Sequence, residues 1–322
     1  MNIFSFPGNP GGSLNPGLLD QRLAIEWVRD NIASFGGDPS RIILFGQSAG
    51  AGSIDFYSYA YISDPIVSGI ILESGTTGLG TFTPDETAAS WYNVTTALDC
   101  GNSASDQTMV MECMRLKPMS EITSAIPLSS SAMGSAAFWP TIDNTTIFPS
   151  YVSRSFIKVP MLIGNNDNEA GYFIAMASLY NSYLPDSAWS AFSNYVFACP
   201  AAQRANSSTV ADAPTWRYRY FGDFEDLRLT SSPDSGAYHG SEIALIFGTL
   251  PDGGGSQEER EVGKYIRGAW TAFAKDPRRG LSCYGDGWPV YEPGKETLIR
   301  LAFNDTVGIS MVVPEVYDSL CQ

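Results

Sequence analysis

One histidine, His239, is all the imidazole that this 322-residue sequence contains. A histidine-built metal site is therefore not expected, and no two cysteines stand in a Cys-x-x-Cys pair that would supply one with thiolates. Basic residues are also scarce: Lys and Arg number 19 against 34 Asp and Glu, for a formal net charge of −15. With no basic run to follow a phosphate backbone, nucleic acid is not an expected partner. Long apolar runs are missing too. Residues 42–45 and 67–72 are among the longest, far short of the roughly 20 residues that cross a bilayer as a helix. A soluble chain without a transmembrane segment is expected. The opening, Met-Asn-Ile-Phe-Ser-Phe-Pro-Gly, has neither the basic start nor the sustained apolar run of a signal peptide. Whatever directs export is not expected within this sequence.

What is present points to export all the same. Four Asn-x-Ser/Thr sequons, at Asn93, Asn144, Asn206 and Asn304, can carry glycans only in a secretory compartment. Five cysteines cannot all pair within one chain, but they fit two disulfides and a spare thiol. A secreted, extracellular protein is the expectation. At 44% hydrophobic residues the chain can bury a large core, and it reads as one domain over residues 1–322.

Apolar residues Leu19, Leu23, Trp27 and Ile32, with Ala24 and Val28 beside them, recur at near-helical spacing. An amphipathic helix over residues 17–34 follows, stopped by Gly36-Gly37-Asp38-Pro39. Short buried strands are predicted at residues 41–45, 67–72, 159–163 and 215–221, and a further one at 297–301. Helices are predicted at about 84–98, 169–180, 186–197 and 257–274. The glycine-rich run 252–256 reads as a loop inside the domain. Strands alternating with helices predict an α/β protein with a mostly parallel sheet covered by helices on both faces.

The chemistry begins at Gly46-Gln47-Ser48-Ala49-Gly50, which follows a predicted strand directly and precedes a helix-compatible run, residues 51–59. Strand, sharp turn and helix are the setting of a nucleophile elbow, in which small residues flanking the serine let the chain turn and expose its hydroxyl. A serine hydroxyl is a poor nucleophile until a base takes its proton, and His239 is the one residue able to do so as an imidazole. It lies in the glycine-flanked segment Gly236-Ala237-Tyr238-His239-Gly240, downstream of Ser48. The acid that orients such a base belongs between them on a loop after a strand. Asp167 and Glu169 both qualify, with Asp223, Glu225, Asp226 and Asp234 later in the chain, and spacing alone does not choose.

The run from Asn15 to Pro39, Asn-Pro-Gly-Leu-Leu-Asp-Gln-Arg-Leu-Ala-Ile-Glu-Trp-Val-Arg-Asp-Asn-Ile-Ala-Ser-Phe-Gly-Gly-Asp-Pro, continued through Phe45-Gly-Gln-Ser-Ala-Gly50, resembles the type B carboxylesterase and lipase family, which includes cholinesterases and many fungal secreted esterases. The resemblance extends to Trp270-Thr-Ala-Phe-Ala-Lys-Asp-Pro277 and Gly287-Trp-Pro289, and fungal members are the most similar. It implies an α/β-hydrolase fold with a Ser-His-Glu triad. In that family the acid is a glutamate in a segment like Gly164-Asn-Asn-Asp-Asn-Glu-Ala170, which assigns the role to Glu169, although Asn168 and Ala170 depart from the commonest residues. The base lies in a His-Gly-x-Glu segment ending in Phe-Gly, matched by His239-Gly-Ser-Glu242 and Phe247-Gly248. Ser74 stands where the family keeps a serine near the triad, able to hydrogen-bond the histidine or glutamate. Gln47 replaces the glutamate of cholinesterases, so nothing favours choline esters. The resemblance also implies disulfides Cys100–Cys113 and Cys199–Cys321, leaving Cys283 spare.

In this family the oxyanion is held by the N–H after the nucleophile, here Ala49, and by glycine N–H groups of a loop upstream of the elbow. The opening resembles the family segment after an early strand, so the expected fold lacks the N-terminal strands and that loop. The expected function is cofactor-free hydrolysis of a small-molecule carboxylic ester by Ser48, His239 and Glu169. The alternatives are a non-catalytic cholinesterase-like binding protein, an inactive fragment, and a triacylglycerol lipase.

Overall fold

A computed structural model describes residues 3–126, 138–250 and 254–321. Residues 252 and 253 of the expected glycine-rich loop lie outside them. The helices in chain order are α1 (Pro16–Asn31), α2 (Ala49–Ala60), α3 (Pro84–Ala97), α4 (Gln107–Leu116), α5 (Met119–Ala125), α6 (Ala170–Leu179), α7 (Asp186–Ser193), α8 (Cys199–Val210), α9 (Ile243–Phe247), α10 (Gln257–Lys275) and α11 (Glu315–Asp318). The strands are β1 (Ile43–Gln47), β2 (Gly69–Glu73), β3 (Met161–Asn166), β4 (Thr215–Tyr220), β5 (Leu298–Leu301) and β6 (Ile309–Val312). The chain divides into two compact units, Met1–Val28 with Gly80–Ser155, and Arg29–Leu79 with Phe156–Gln322.

In the first unit, α3 starts where its sequence says it should. Thr83 accepts from Glu86 N, the Glu86 carboxylate accepts from Thr83 N, and Pro84 opens the first turn. At α4 the Asp106 side chain is the cap, accepting from Thr108 N and Met109 N. Trp91, Val94, Val110 and Met114 are fully buried and form the inner faces of α3 and α4. Cys100 and Cys113 are bonded across the turn between these helices. Asn15, the first residue of the long family-like run, is buried and ties the start of α1 to a distant turn: its amide donates to Thr141 O and to Asp143, and accepts from Thr141 N. Burial pushes the Asp143 carboxyl up, but bonds from Ile147 N, the Thr146 hydroxyl, Thr145 N and Asn15 outweigh it and hold the group down at about 2.

The α1 helix forms as predicted, but its apolar stripe does not face inward. Leu19, Leu23 and Trp27 are 45%, 64% and 54% exposed, whereas Leu18 and Arg22 are buried. The helix is rolled so that a neighbouring row of residues meets the described core.

The second unit holds a six-stranded sheet in the order β1-β2-β3-β4-β5-β6. The first five strands are parallel and β6 runs antiparallel to β5. All five predicted strands form. The sixth, only four residues long and partly exposed, was not among the predicted strands. Val262, Ile266, Ala269, Trp270 and Phe273 of α10 pack with Ile71, Leu162, Trp216 and Tyr218 in one buried cluster. Helices α2 and α8, which do not belong to that cluster, lie against β1 to β4. A mostly parallel sheet covered on both faces is the architecture of an α/β-hydrolase.

Two charged contacts fasten this unit. Arg204 of α8 donates to Asp55 of α2 at 2.6 Å, with both side chains buried, and Asp55 also accepts from Thr77 N. Arg217 of β4 pairs with Asp318, next to the Cys199–Cys321 disulfide that binds the C-terminal residues to α8. Cys283 is a free, exposed thiol. Removing one partner of a buried ion pair leaves the other charge uncompensated, which typically costs about 3–5 kcal/mol. Asp55→Ala should lower the unfolding free energy by about that amount in urea titration, whereas Asp64→Ala, at the exposed Arg29 contact, should change it by under about 1 kcal/mol.

Candidate active site

Because β1 to β4 are parallel, the loops that leave them emerge at one edge of the sheet. Ser48 follows β1, Ser74 follows β2, Glu169 follows β3, and the loop to His239 leaves after β4. Open α/β sheets bind ligands at this carboxyl edge.

Ser48 is the residue between β1 and α2, with φ 55° and ψ −120°. This is left-handed backbone that a non-glycine residue adopts only when its surroundings impose it, at about 1–3 kcal/mol. The turn is tight because Gly46 has no side chain: a Cβ there would lie 2.5 Å from the Gly50 carbonyl carbon. The second glycine of the motif is not needed for the same reason, since a Cβ on Gly50 would meet nothing within 4 Å. Accordingly, Gly46→Ala should destabilise the protein by about 1–3 kcal/mol, the usual range for overpacking. Gly50→Ala, in the first turn of α2, should be neutral or stabilising by up to about 1 kcal/mol. Thermal denaturation of the two variants compares them directly.

The structure brings three expected side chains into one hydrogen-bonded line. His239 Nε2 lies 2.7 Å from Ser48 Oγ, and His239 Nδ1 lies 2.6 Å from Glu169 Oε2. The second oxygen of Glu169 accepts from Asn166 N at 2.7 Å, and the carboxylate is buried. With a proton on Nδ1 directed at Glu169, Nε2 offers its lone pair to the serine hydroxyl. Gln47 Nε2 approaches the same nitrogen at 3.2 Å, so it is the longer of two donors competing for that lone pair. Ala49 opens α2, and its N–H belongs to the first-turn donors that have no acceptor within the helix.

The alternative acid, Asp167, turns away. It is 39% exposed and pairs with Arg219 at 2.8 Å. Asp223 and Asp234 are likewise engaged, both with Arg228. Ser74 does not make the expected bond to His239 or Glu169: its hydroxyl is buried without a protein partner. The Glu169 oxygens are met instead by His239 Nδ1 and Asn166 N.

Several residues that the sequence reading passed over hold the site together. Asn168 donates to Ser235 O and Asn166 donates to Tyr238 O, so the two asparagines clasp the backbone that carries His239. Asn168 N also donates to Ala237 O. Beside the imidazole stands an aromatic wall, with the rings of Phe197, Phe173 and Tyr172 centred 4.7, 5.5 and 6.5 Å from that of His239. Phe197 sits on a π-helical turn, Asn194–Ala198, where one continuous helix was predicted. Such turns re-aim a side chain by one residue, and here the residue so placed faces His239.

The Carboxylesterase family pattern matches this sequence over residues 3–184 and 180–313. The chain belongs to the carboxylesterase family. Among its relatives, a chlorogenic acid esterase of Aspergillus niger is 34% identical over 94% of this chain and 61% of its own length. Secreted lipase 5 of Gibberella zeae is 32% identical over the whole chain and 64% of its own length. A cholinesterase of Mus musculus, 26% identical, matches 94% of this chain and 58% of its own. The chain thus spans about three fifths of the length of the curated relatives it matches. Among the described residues, no cluster of three or more His, Cys, Asp or Glu is arranged to hold a metal ion, and no helix is long and apolar enough to cross a membrane.

Proposed function

We propose that the protein hydrolyses carboxylic esters through an acyl-enzyme on Ser48, with His239 as general base and acid and Glu169 as the carboxylate that orients it. The observation that carries this reading is the line from Ser48 Oγ through His239 to Glu169, with contacts of 2.7 and 2.6 Å. In the first half-reaction Ser48 Oγ bonds to the ester carbonyl carbon while its proton passes to His239 Nε2. The Glu169 anion stabilises the imidazolium, and Ala49 N–H donates to the oxyanion. The tetrahedral intermediate then expels the alcohol, which takes the proton from His239. Water repeats the sequence on the acyl-enzyme and releases the acid.

The relatives' names support ester substrates, and the aromatic wall beside His239 supports esters with an apolar or aromatic group on that side. No residue of this mechanism calls for a cofactor. A non-catalytic binding role would be favoured by a gap in the line, and all three positions are filled. We also read the protein as a single hydrolase domain, since the family match spans both units, and as secreted. Two disulfides, a relative named as a secreted lipase and the exposure of all four sequon asparagines support the last point.

A fluorophosphonate should label Ser48 of the full-length protein and no other residue, as read by peptide mapping, because only a base-activated serine attacks phosphorus readily. Labelling that persists in Ser48→Ala would refute the assignment. On a short-chain nitrophenyl ester, Glu169→Gln should lower turnover by about 10³-fold or more, since the acid fixes the tautomer of the base. Asp167→Asn, at a partly exposed ion pair, should stay within about fivefold of the parent.

A further inference from the structure

Behind the Ser48–His239–Glu169 line lies a second pair of carboxyl groups that the mechanism above leaves unused. Glu73 ends β2 with its side chain wholly buried. One of its oxygens accepts from Trp270 Nε1 of α10 at 2.6 Å, and the other is buried without a protein partner. Glu242, three residues after His239, is also buried. Its Oε2 accepts from Asn166 Nδ2, and its Oε1 has no protein partner. The Tyr218 hydroxyl is a third buried polar group without a partner.

The sheet register explains how these groups meet. Glu73 of β2, Gly164 of β3 and Tyr218 of β4 occupy one rung. A Cβ on Gly164 would lie 2.4 Å from the Tyr218 ring, so the glycine leaves the ring room to lie across β3 in the direction of Glu73. The link to the base is equally direct. Asn166 gives its backbone N–H to Glu169 and its side-chain amide to Glu242, so one residue joins the acid of the line to the buried pair.

Two ionised carboxylates that are both buried and act on each other repel and lose their hydration together. One of them takes up a proton instead. The surroundings choose which. Glu73 has a single indole donor, whereas Glu242 has an amide donor and lies near His239, the one group acting on the pair that becomes a cation. We propose that Glu73 and Glu242 hold one proton between them, on Glu73, and that the remaining charge on Glu242 is a second anion supporting the protonated form of His239. Glu242 is then a positioning residue for the base, and Glu73 is the neutral acid that lets it stay ionised. This rests on the reading of His239 as the general base.

The electrostatics agree with the geometry. Burial and the Glu242 charge raise Glu73 well above the ordinary carboxyl range. Burial raises Glu242 to about 7, opposed by the Asn166 bond, with the Glu169 charge adding to the rise and His239 working against it. Burial, and after it the neighbouring carboxyl groups, push the Tyr218 hydroxyl well above its ordinary value, so it stays protonated. Burial, with the Glu242 charge second, likewise raises Tyr220 and Tyr238 and keeps them neutral. His239 works on Glu242 in the opposite sense to burial, so the imidazolium favours the Glu242 anion just as that anion favours the imidazolium.

Because the chain contains a single histidine, its imidazole can be titrated without ambiguity by NMR of the ¹⁵N-histidine-labelled 322-residue chain. Glu242→Gln removes the anion and should lower the His239 midpoint by roughly half a unit to one unit. Glu73→Gln keeps shape and neutrality and should leave the midpoint in place, and so should Glu73→Met, which serves if the glutamine variant does not fold. A midpoint lowered as far by either Glu73 variant as by Glu242→Gln would overturn the proposal, and so would an unchanged midpoint in Glu242→Gln. The readout needs no turnover. A protein without Ser48-dependent hydrolysis would refute the esterase reading, while the titration would still decide where the proton sits.

Discussion

A neutral imidazole has one proton for two nitrogens, so it can relieve a serine of its proton only if something fixes which nitrogen is bare. The contact between His239 Nδ1 and Glu169 Oε2 is that constraint, and much of the local structure serves to maintain it. The two residues sit on loops leaving β3 and β4, which are neighbours in the sheet, so short asparagine side chains suffice to bridge them. Glu169 is held from the other side by Asn166 N, which leaves the carboxylate little freedom to rotate. Hydrogen bonds to a buried anion are stronger than neutral ones, so each of these contacts also favours the charged form that the imidazolium would require.

The sheet was legible in the sequence because parallel strands buried on both faces read as short continuous apolar runs, and four of them stood out between helical patterns. The fifth, β5, was legible as a short strand, and β6 was not, being four residues at a partly exposed edge. Ser48 could be read from the strand, turn and helix around it, and His239 from the absence of any competing imidazole. The choice of Glu169 over Asp167 could not be made from spacing, because the two differ by two residues on one loop. Only the resemblance separated them; in the structure Asp167 is drawn outward by Arg219.

Other features were invisible for a reason that applies broadly. Glu73 looks like the polar end of an apolar strand, and Glu242 like the start of a short helix, each an ordinary place for a charge. Their burial follows from the packing of α9 and α10 over the sheet, which no local pattern encodes. Which face of α1 is covered depends in the same way on what surrounds it, so a correct helix prediction carried no information on the direction of Leu19, Leu23 and Trp27.

The left-handed backbone of Ser48 reaches beyond the elbow. Folded domains survive on a margin of about 5–15 kcal/mol, and strain of about 1–3 kcal/mol at one residue is a standing charge against it. Every destabilising substitution elsewhere draws on what is left. The buried Arg204–Asp55 pair and the two disulfides thus set how much sequence drift the chain tolerates while keeping its serine in that posture. In this sense mutational robustness far from Ser48 is part of how its strained backbone is maintained over generations.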